Sequence, residues 1–448
     1  MKWITSLQER IQSLREDDMS QRILRYAVLF MLFLALTLAM FFGLRQWHAP
    51  ELPPEGKATV AQHGVYTVGA GVLVAGIVTA AVAAFDSDKK KERPLWFCPL
   101  LAGGLGLALF ILGYAFLGVW PLGDKTILMV DMHHQYAPLL SELRHMILEG
   151  GNASYNFHMG MGSSFIPAFA YYLSSPLNIL LLFFSERYLA QAILVITLLK
   201  GAAAAASFTA MAQYLCRRRT TAMVAVGLLY ALSGYMLAYS WNIMWLDVVA
   251  LLPVVVLAME HMLRTGKVVP YALLLALALF ANYYIGFMLC VFLVLYMVVW
   301  VLREKRTLRE TAVGGLRFAA GSLWGGALAA CLLIPTALAL GRTSAAGGEM
   351  IEFNTNFPFF DLLGRLFYGA TPPSAAATCP TCIAVWWRCC WPPCISAKRP
   401  SPCAAACAMA VCWACCCSAA PSSSGICCGT DSTPPTTCPT VSPSSSAS

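Results

Sequence analysis

Apolar runs of membrane-crossing length alternate with short polar or basic intervals along most of the chain. Leu24–Leu44, Val65–Phe85 and Leu95–Leu117 each reach the roughly 20 residues an α-helix needs to cross the hydrocarbon core. Tyr188–Leu215, Thr221–Tyr239, Val248–Leu263 and Phe318–Leu340 continue the pattern. Val269–Leu302 is too long for one ordinary span, and Asn282-Tyr283-Tyr284 divides it into two short helices. The pattern predicts an all-α, polytopic helical membrane protein of about nine spans, because only helices and closed barrels satisfy their backbone in lipid. One further apolar run, Phe165–Phe184, is interrupted by Pro167, Ser174, Ser175, Pro176 and Asn178.

Charge position orients the spans. Basic clusters at Lys89-Lys90-Lys91, Arg217-Arg218-Arg219 and Arg303–Arg306 fall between apolar runs, where the positive-inside rule marks cytoplasmic loops. Residues 1–23 carry Lys2, Arg10, Arg15 and Arg22 and read as a cytoplasmic amphipathic lead-in, so the amino terminus is expected inside. The first apolar run lacks a small-residue cleavage site and reads as an anchor. Asp131 then falls outside and the Arg217–Arg219 triplet inside, which requires an odd number of crossings between them. Of the two apolar runs in that interval, the Pro- and Ser-interrupted Phe165–Phe184 is the one expected not to cross, as an interfacial or re-entrant helix pair. The transmembrane domain is expected over 24–371, with an external loop over 118–165.

Composition agrees with this class. The chain is 59% hydrophobic and 12% charged, against about 25% charged in soluble domains. A net charge of +8 comes from clusters between apolar runs, so it signals membrane orientation and not a nucleic-acid partner. Polar chemistry gathers in Gly123–Gly162, which holds Asp124, Lys125, Asp131, His133, His134, Gln135, Tyr136, Glu142, Arg144, His145, Glu149 and His158.

After Thr371 the chain turns abruptly to Cys, Pro, Ser, Ala and Trp. Residues 372–448 read as a low-complexity tail translated out of frame. Cys and Trp codons begin TG, so a shifted frame turns each into NTG, which encodes Leu, Met or Val, and TC-type Ser codons become Phe, Leu, Ile or Val. Cys379–Trp391 can be re-read as LPNMYCGVVALLL, an ordinary apolar membrane sequence. The competing reading is a genuine disulfide-rich or metal-binding tail that includes the Cys379-x-x-Cys382 pair.

Four stretches, in this order, resemble the YfhO family of bacterial membrane proteins: Asp131-Met-His-His-Gln135-Tyr136; Gly160-Met-Gly162 followed by Tyr171-Tyr172-Leu-Ser-Ser-Pro176-Leu-Asn178; Asn242-Ile-Met-Trp245-Leu-Asp247; and Asn282-Tyr283-Tyr284-Ile-Gly286. The resemblance implies a multi-spanning glycosyltransferase fold of the GT-C type in the bacterial plasma membrane. It implies a polyprenyl-phosphate sugar as donor, a cell-envelope polymer such as lipoteichoic acid as acceptor, and membrane lipid as surroundings. Family members are longer, and the carboxyl half that should complete the fold is absent or scrambled here.

Such a transfer needs a carboxylate to deprotonate the acceptor hydroxyl and cations to stabilise the departing phosphate. Asp131, shortly after the third span, is the expected general base or divalent-metal ligand, with Glu142 and Asp124 as further candidates. Lys125, Arg187, Arg342 and Arg365 could hold phosphate or serve as interface anchors. Tyr136, Tyr171 and Tyr172 could stack on sugar or pack at the interface, and the matching motifs add Gln135 and Asn178 as substrate-binding positions. His133 and His134 are adjacent and, on an α-helix, diverge by about 100°, which argues against one shared metal. Asp247 begins a helix and reads as an N-cap. Two other functions stay open: a lipid or polysaccharide transporter, which would bury ionisable residues at mid-membrane, and a non-catalytic envelope-assembly protein or inactive fragment. Lys200 and Glu260 are the main charges inside otherwise apolar spans.

Overall fold

The computed structural model describes residues 2–48, 60–86, 93–120, 123, 125–303 and 306–342. Asp124, Arg365, the Lys89–Lys91 cluster and the tail expected at 372–448 lie outside the described residues. Among the described residues the chain is helical, with only two isolated β-bridges, Val119 to Lys125 and Asn156 to Ser163.

Among the described residues seven helices are long and apolar enough to cross a membrane. The lead-in and the first expected span form one continuous helix, α1 (Lys2–His48), followed by α2 (Val60–Asp86) and α3 (Phe97–Phe116). Short α4 (Ala137–His145) and α5 (Ile166–Ala168) belong to the loop region, and α6 (Leu189–Cys216) resumes the long helices. The expected span over Thr221–Tyr239 is broken at Leu232–Ser233 into α7 (Ala222–Ala231) and α8 (Gly234–Ala238). Next come α9 (Leu246–Thr265), α10 (Val269–Ala281), α11 (Tyr283–Arg303) and α12 (Leu308–Leu340). Asn282, in an extended conformation between α10 and α11, divides that run where the sequence placed the break. Helix α12 starts earlier than its apolar run, because Thr307 and Glu310 form a capping box. Where the sequence places about nine crossings, the described residues have seven helices of crossing length and two shorter apolar segments, Ala222–Ala238 and Val269–Ala281. At 13 residues α10 is only about 20 Å long, short of a hydrocarbon core of about 30 Å.

Helix α6 is the central element. Its Gly201-Ala-Ala-Ala-Ala-Ala206 run presents almost no side-chain bulk, so neighbours approach backbone to backbone. An added Cβ at Gly227 of α7 would collide with Thr209 Oγ1 and sit 2.6 Å from the Ala205 carbonyl oxygen. The main core joins Cys98 and Ala102 of α3, Phe208 and Met211 of α6, Val255 and Met259 of α9, and Leu289 and Phe292 of α11. A second core, built from Met132, Tyr136, Leu140, Leu173, Leu181 and Ile193, seats the loop region on the first half of α6.

The interrupted run Phe165–Phe184 forms two helical pieces, Ile166–Leu173 and Pro176–Phe183, bent by 94°. At its start, Phe165 N donates to Ala153 O in the loop. At its end, Arg144 Nε of α4 donates to Phe184 O at 2.9 Å, and Ser141 of α4 bonds Glu186. The loop and α4 thus hold both ends of the bent pair.

Candidate functional site

Backbone hydrogen bonds shape the polar stretch. Trp120 N donates to Lys125 O and Lys125 N to Gly118 O, which closes a small turn at its start. Val130 then takes φ 49°, a left-handed conformation costing a β-branched residue about 1–3 kcal/mol. This turn delivers Asp131 to the start of a π-helical turn, Met132–Tyr136. Such turns are rare and frequent at functional sites. Met132 and Tyr136 are buried at its two ends, while His133, His134 and Gln135 are exposed between them.

Asp131 is half-buried beside Tyr136 and Tyr172. Burial first, and then the Asp131 charge, push the Tyr136 hydroxyl far above its ordinary titration range, so it acts as a neutral donor. It donates to Asn242 Oδ1 at 2.8 Å. Gln135 Nε2 donates to Tyr172 OH at 2.9 Å. Around this point four aromatic rings meet: Tyr136 and Tyr172 with centroids 5.5 Å apart, Tyr171 against Tyr172 at 4.5 Å, and Tyr283 against Tyr171 at 5.7 Å. Asn282 Nδ2 donates to Tyr171 O at 2.7 Å, and Ser174 Oγ donates to Ala281 O at 3.0 Å. The bend of the helix pair and the break before α11 thereby satisfy each other's freed backbone groups. Asp131, Gln135, Tyr136, Tyr171, Tyr172, Asn242 and Asn282, drawn from four separate stretches of sequence, come together at one end of the bundle.

The family model for bacterial membrane protein YfhO matches residues 104–386, more than half of the 448-residue chain. The chain belongs to the YfhO family. No curated protein and no solved structure matches it. The matched range contains every residue of the cluster just described, and it reaches beyond Thr371.

The other expected site residues of this YfhO-family chain are distributed differently. Glu142 is engaged within the loop: it accepts from Asn156 Nδ2 at 2.7 Å and pairs with His158 Nδ1 at 2.8 Å. Burial pushes its carboxyl up, but the bonds from Asn156 and His158 and the nearby His158 and His145 charges outweigh this and leave it below its ordinary value. Asn178 is buried and donates to Leu173 O at 2.8 Å, closing the bend of the helix pair. Lys125, Arg187 and Arg342 are exposed; Arg187 precedes α6 and Arg342 follows α12. His133 and His134 do not diverge as on an α-helix. The π-turn brings their Nδ1 atoms to 3.4 Å with ring centroids 4.9 Å apart. Among the described residues no group of three or more His, Cys, Asp or Glu is placed to hold a metal ion.

Asp247 corrects the sequence reading. It lies in the first turn of α9 but makes no cap hydrogen bond. Its carboxylate pairs with Lys200 Nζ at 2.6 Å and accepts from Ser175 Oγ at 2.7 Å, with side chains 1% and 6% exposed for Lys200 and Asp247. The one signal available in the sequence was Lys200 itself, a charge inside an apolar helix. Glu260 is likewise buried, held by Tyr296, Arg264 and Arg303 at the opposite end of the bundle.

Proposed function

We propose that this YfhO-family protein transfers a sugar from a polyprenyl-phosphate carrier to a cell-envelope polymer such as lipoteichoic acid, on the outer face of the plasma membrane, with the amino terminus in the cytoplasm. The observation that carries the reading is the half-buried Asp131 carboxylate, set beside Tyr136 and Tyr172 at the loop end of the helices. A carboxylate partly shielded from water is suited to removing a proton from an acceptor hydroxyl. As the Asp131 oxygen takes that proton, the hydroxyl oxygen attacks the anomeric carbon. The bond from that carbon to the phosphate oxygen breaks, and polyprenyl phosphate leaves with the bonding electrons. Exposed Lys125, Arg187 and Arg342 would offset the phosphate charge, and Gln135, Tyr172 and Tyr171 supply the polar and aromatic surface for the sugar. The test is transfer from polyprenyl-phosphate sugar in membranes, comparing wild type with Asp131→Asn at matched protein level.

A second reading, a lipid or polysaccharide transporter, is favoured by the buried Lys200–Asp247 pair, since charges inside membrane helices commonly mark transport pathways. Sugar transfer that is lost in Asp131→Asn supports the enzyme. Uptake or flipping of a labelled lipid that depends on Lys200, without sugar transfer, supports the transporter.

A further inference from the structure

A buried ion pair stabilises little by itself, because desolvating two charges offsets most of their attraction. The Lys200–Asp247 pair therefore calls for a role in specifying geometry. Its bonds run in two directions. Lys200 Nζ donates to Ile243 O at 2.9 Å as well as to Asp247. This fixes the turn containing Asn242, the residue that accepts from Tyr136 OH. Asp247 accepts from Ser175 Oγ, which fixes the bend between Leu173 and Pro176 and so the neighbouring Tyr171 and Tyr172. The two sides of the Asp131 cluster are thus tied to one point: Tyr136, at the far end of Asp131's own π-turn, through Asn242 and Ile243, and Tyr172 through Ser175.

We propose that Lys200 and Asp247 are positioning residues that set the place of Asp131 relative to Tyr172, acting through Asn242 on one side and Ser175 on the other. Neither touches Asp131. The pair sits in the helical core, and its reach to the surface is entirely through neighbouring side chains and one carbonyl.

The experiment uses the full chain in lipid nanodiscs. Single neutralisations leave one buried charge unpaired and are expected to misfold, so the informative variant is Lys200→Met with Asp247→Leu, an apolar replacement of both partners. Its melting temperature is expected to stay near wild type, while amide exchange over residues 130–137 accelerates about tenfold, the effect of losing one net hydrogen bond on a local opening equilibrium. Lys200→Arg keeps the charge and donors and should preserve wild-type exchange there. The kinetic arm rests on the glycosyltransferase reading: kcat falls by about 10²-fold, the cost of a misplacement of about 1 Å, with KM little changed. Wild-type exchange over 130–137 in the double variant overturns the proposal. If that variant does not fold, Asn242→Leu severs the last link alone, and unchanged exchange at 130–137 there overturns it equally. Absence of any sugar transfer by the wild type would defeat the glycosyltransferase reading while leaving the exchange result to decide the positioning role.

Discussion

The Tyr136 phenol donates to the Asn242 carboxamide oxygen across 106 residues of chain, at 2.8 Å and out of contact with water. This bond joins the loop that carries Asp131 to the turn that leads into α9. The Asn242 Nδ2 group has no hydrogen-bond partner among the described residues, so the phenol supplies that buried side chain's hydrogen bond. Tyr136→Phe would leave Asn242 unpaired on both its polar atoms. Leaving a buried acceptor unsatisfied costs about 1–3 kcal/mol, and the expected result is a lower melting temperature with the aromatic packing against Tyr172 retained. Tyr136→Phe melting like wild type in a detergent-solubilised sample would show that the bond contributes nothing net.

Glu142 makes the loop pH-sensitive. Its carboxyl is held below its ordinary value of 4.5. A depressed carboxylate contributes stability that is fully present above its unfolded value and is lost as pH falls through its folded value. The loop should therefore be intact at neutral pH and loosen on acidification below about 4.5, as the bonds to Asn156 and His158 are released. Limited proteolysis between Met146 and Ser163 across a pH series reports this. Glu142→Gln should give a susceptible loop already at neutral pH, and resistance equal to wild type would contradict the clamp.

How much of this was legible in the sequence depends on how local each signal is. The long helices follow from apolar runs that any window of 20 residues reveals. The bend at Ser174–Pro176 was readable because proline and serine inside an apolar run mark a break within a few residues, and Asn282 was readable for the same reason. The capture of Asp247 by Lys200 was not, since the two lie on different helices and each alone resembles a cap or a stray charge. The contact between His133 and His134 was not readable, since it depends on the strained Val130 turn leading into a π-turn. Glu142 looked like a free acid because its partners, Asn156 and His158, arrive only when the loop folds back on α4.

Orientation in the membrane yields a labelling experiment. Asp131, the Trp241–Asp247 turn and the Asn282 break share one end of the bundle through the Tyr136–Asn242 and Asn282–Tyr171 bonds, while Glu260, Arg264 and Arg303 share the other. With basic loops inside, single cysteines at His133 and Met161 should react with a membrane-impermeant thiol reagent in intact cells, in a background stripped of native cysteines. Cysteines at Arg218 and Lys267 should react only after permeabilisation. Labelling at Arg218 in intact cells would reverse the scheme and make the bent pair a true crossing.

The carboxyl-terminal stretch yields a prediction about DNA. If residues after Thr371 are read in the wrong frame, the coding sequence holds a one-base insertion or deletion near codon 372. Resequencing from the codon of Tyr368 onward should then find an alternative frame that stays open well past codon 448 and encodes apolar, aromatic helices. An early stop in the alternative frame, or a tail whose cysteines form defined disulfides, would defeat the frame argument.

Two chemistries compete for the Asp131 carboxylate. As a general base it acts alone, and Asp131→Asn keeps size and shape while removing the basic oxygen. The expected loss is about 10² to 10⁴ in kcat, the usual worth of a positioned acid or base, with the helices still assembled. As a ligand for a divalent metal it would act through the ion, and chelation of the wild type would then mimic the mutation. The two are separated by measuring sugar transfer from polyprenyl-phosphate sugar with and without chelator, in an in-frame version of the protein and at matched folding. If Asp131 is the base, transfer by the wild type should survive chelation while Asp131→Asn remains slow. Loss of transfer on chelation, restored by added magnesium or manganese, would assign Asp131 to the metal instead. Near-wild-type turnover by Asp131→Asn would remove it from the chemistry altogether and leave Asp124 as the next carboxylate to test, since Glu142 is already engaged by Asn156 and His158.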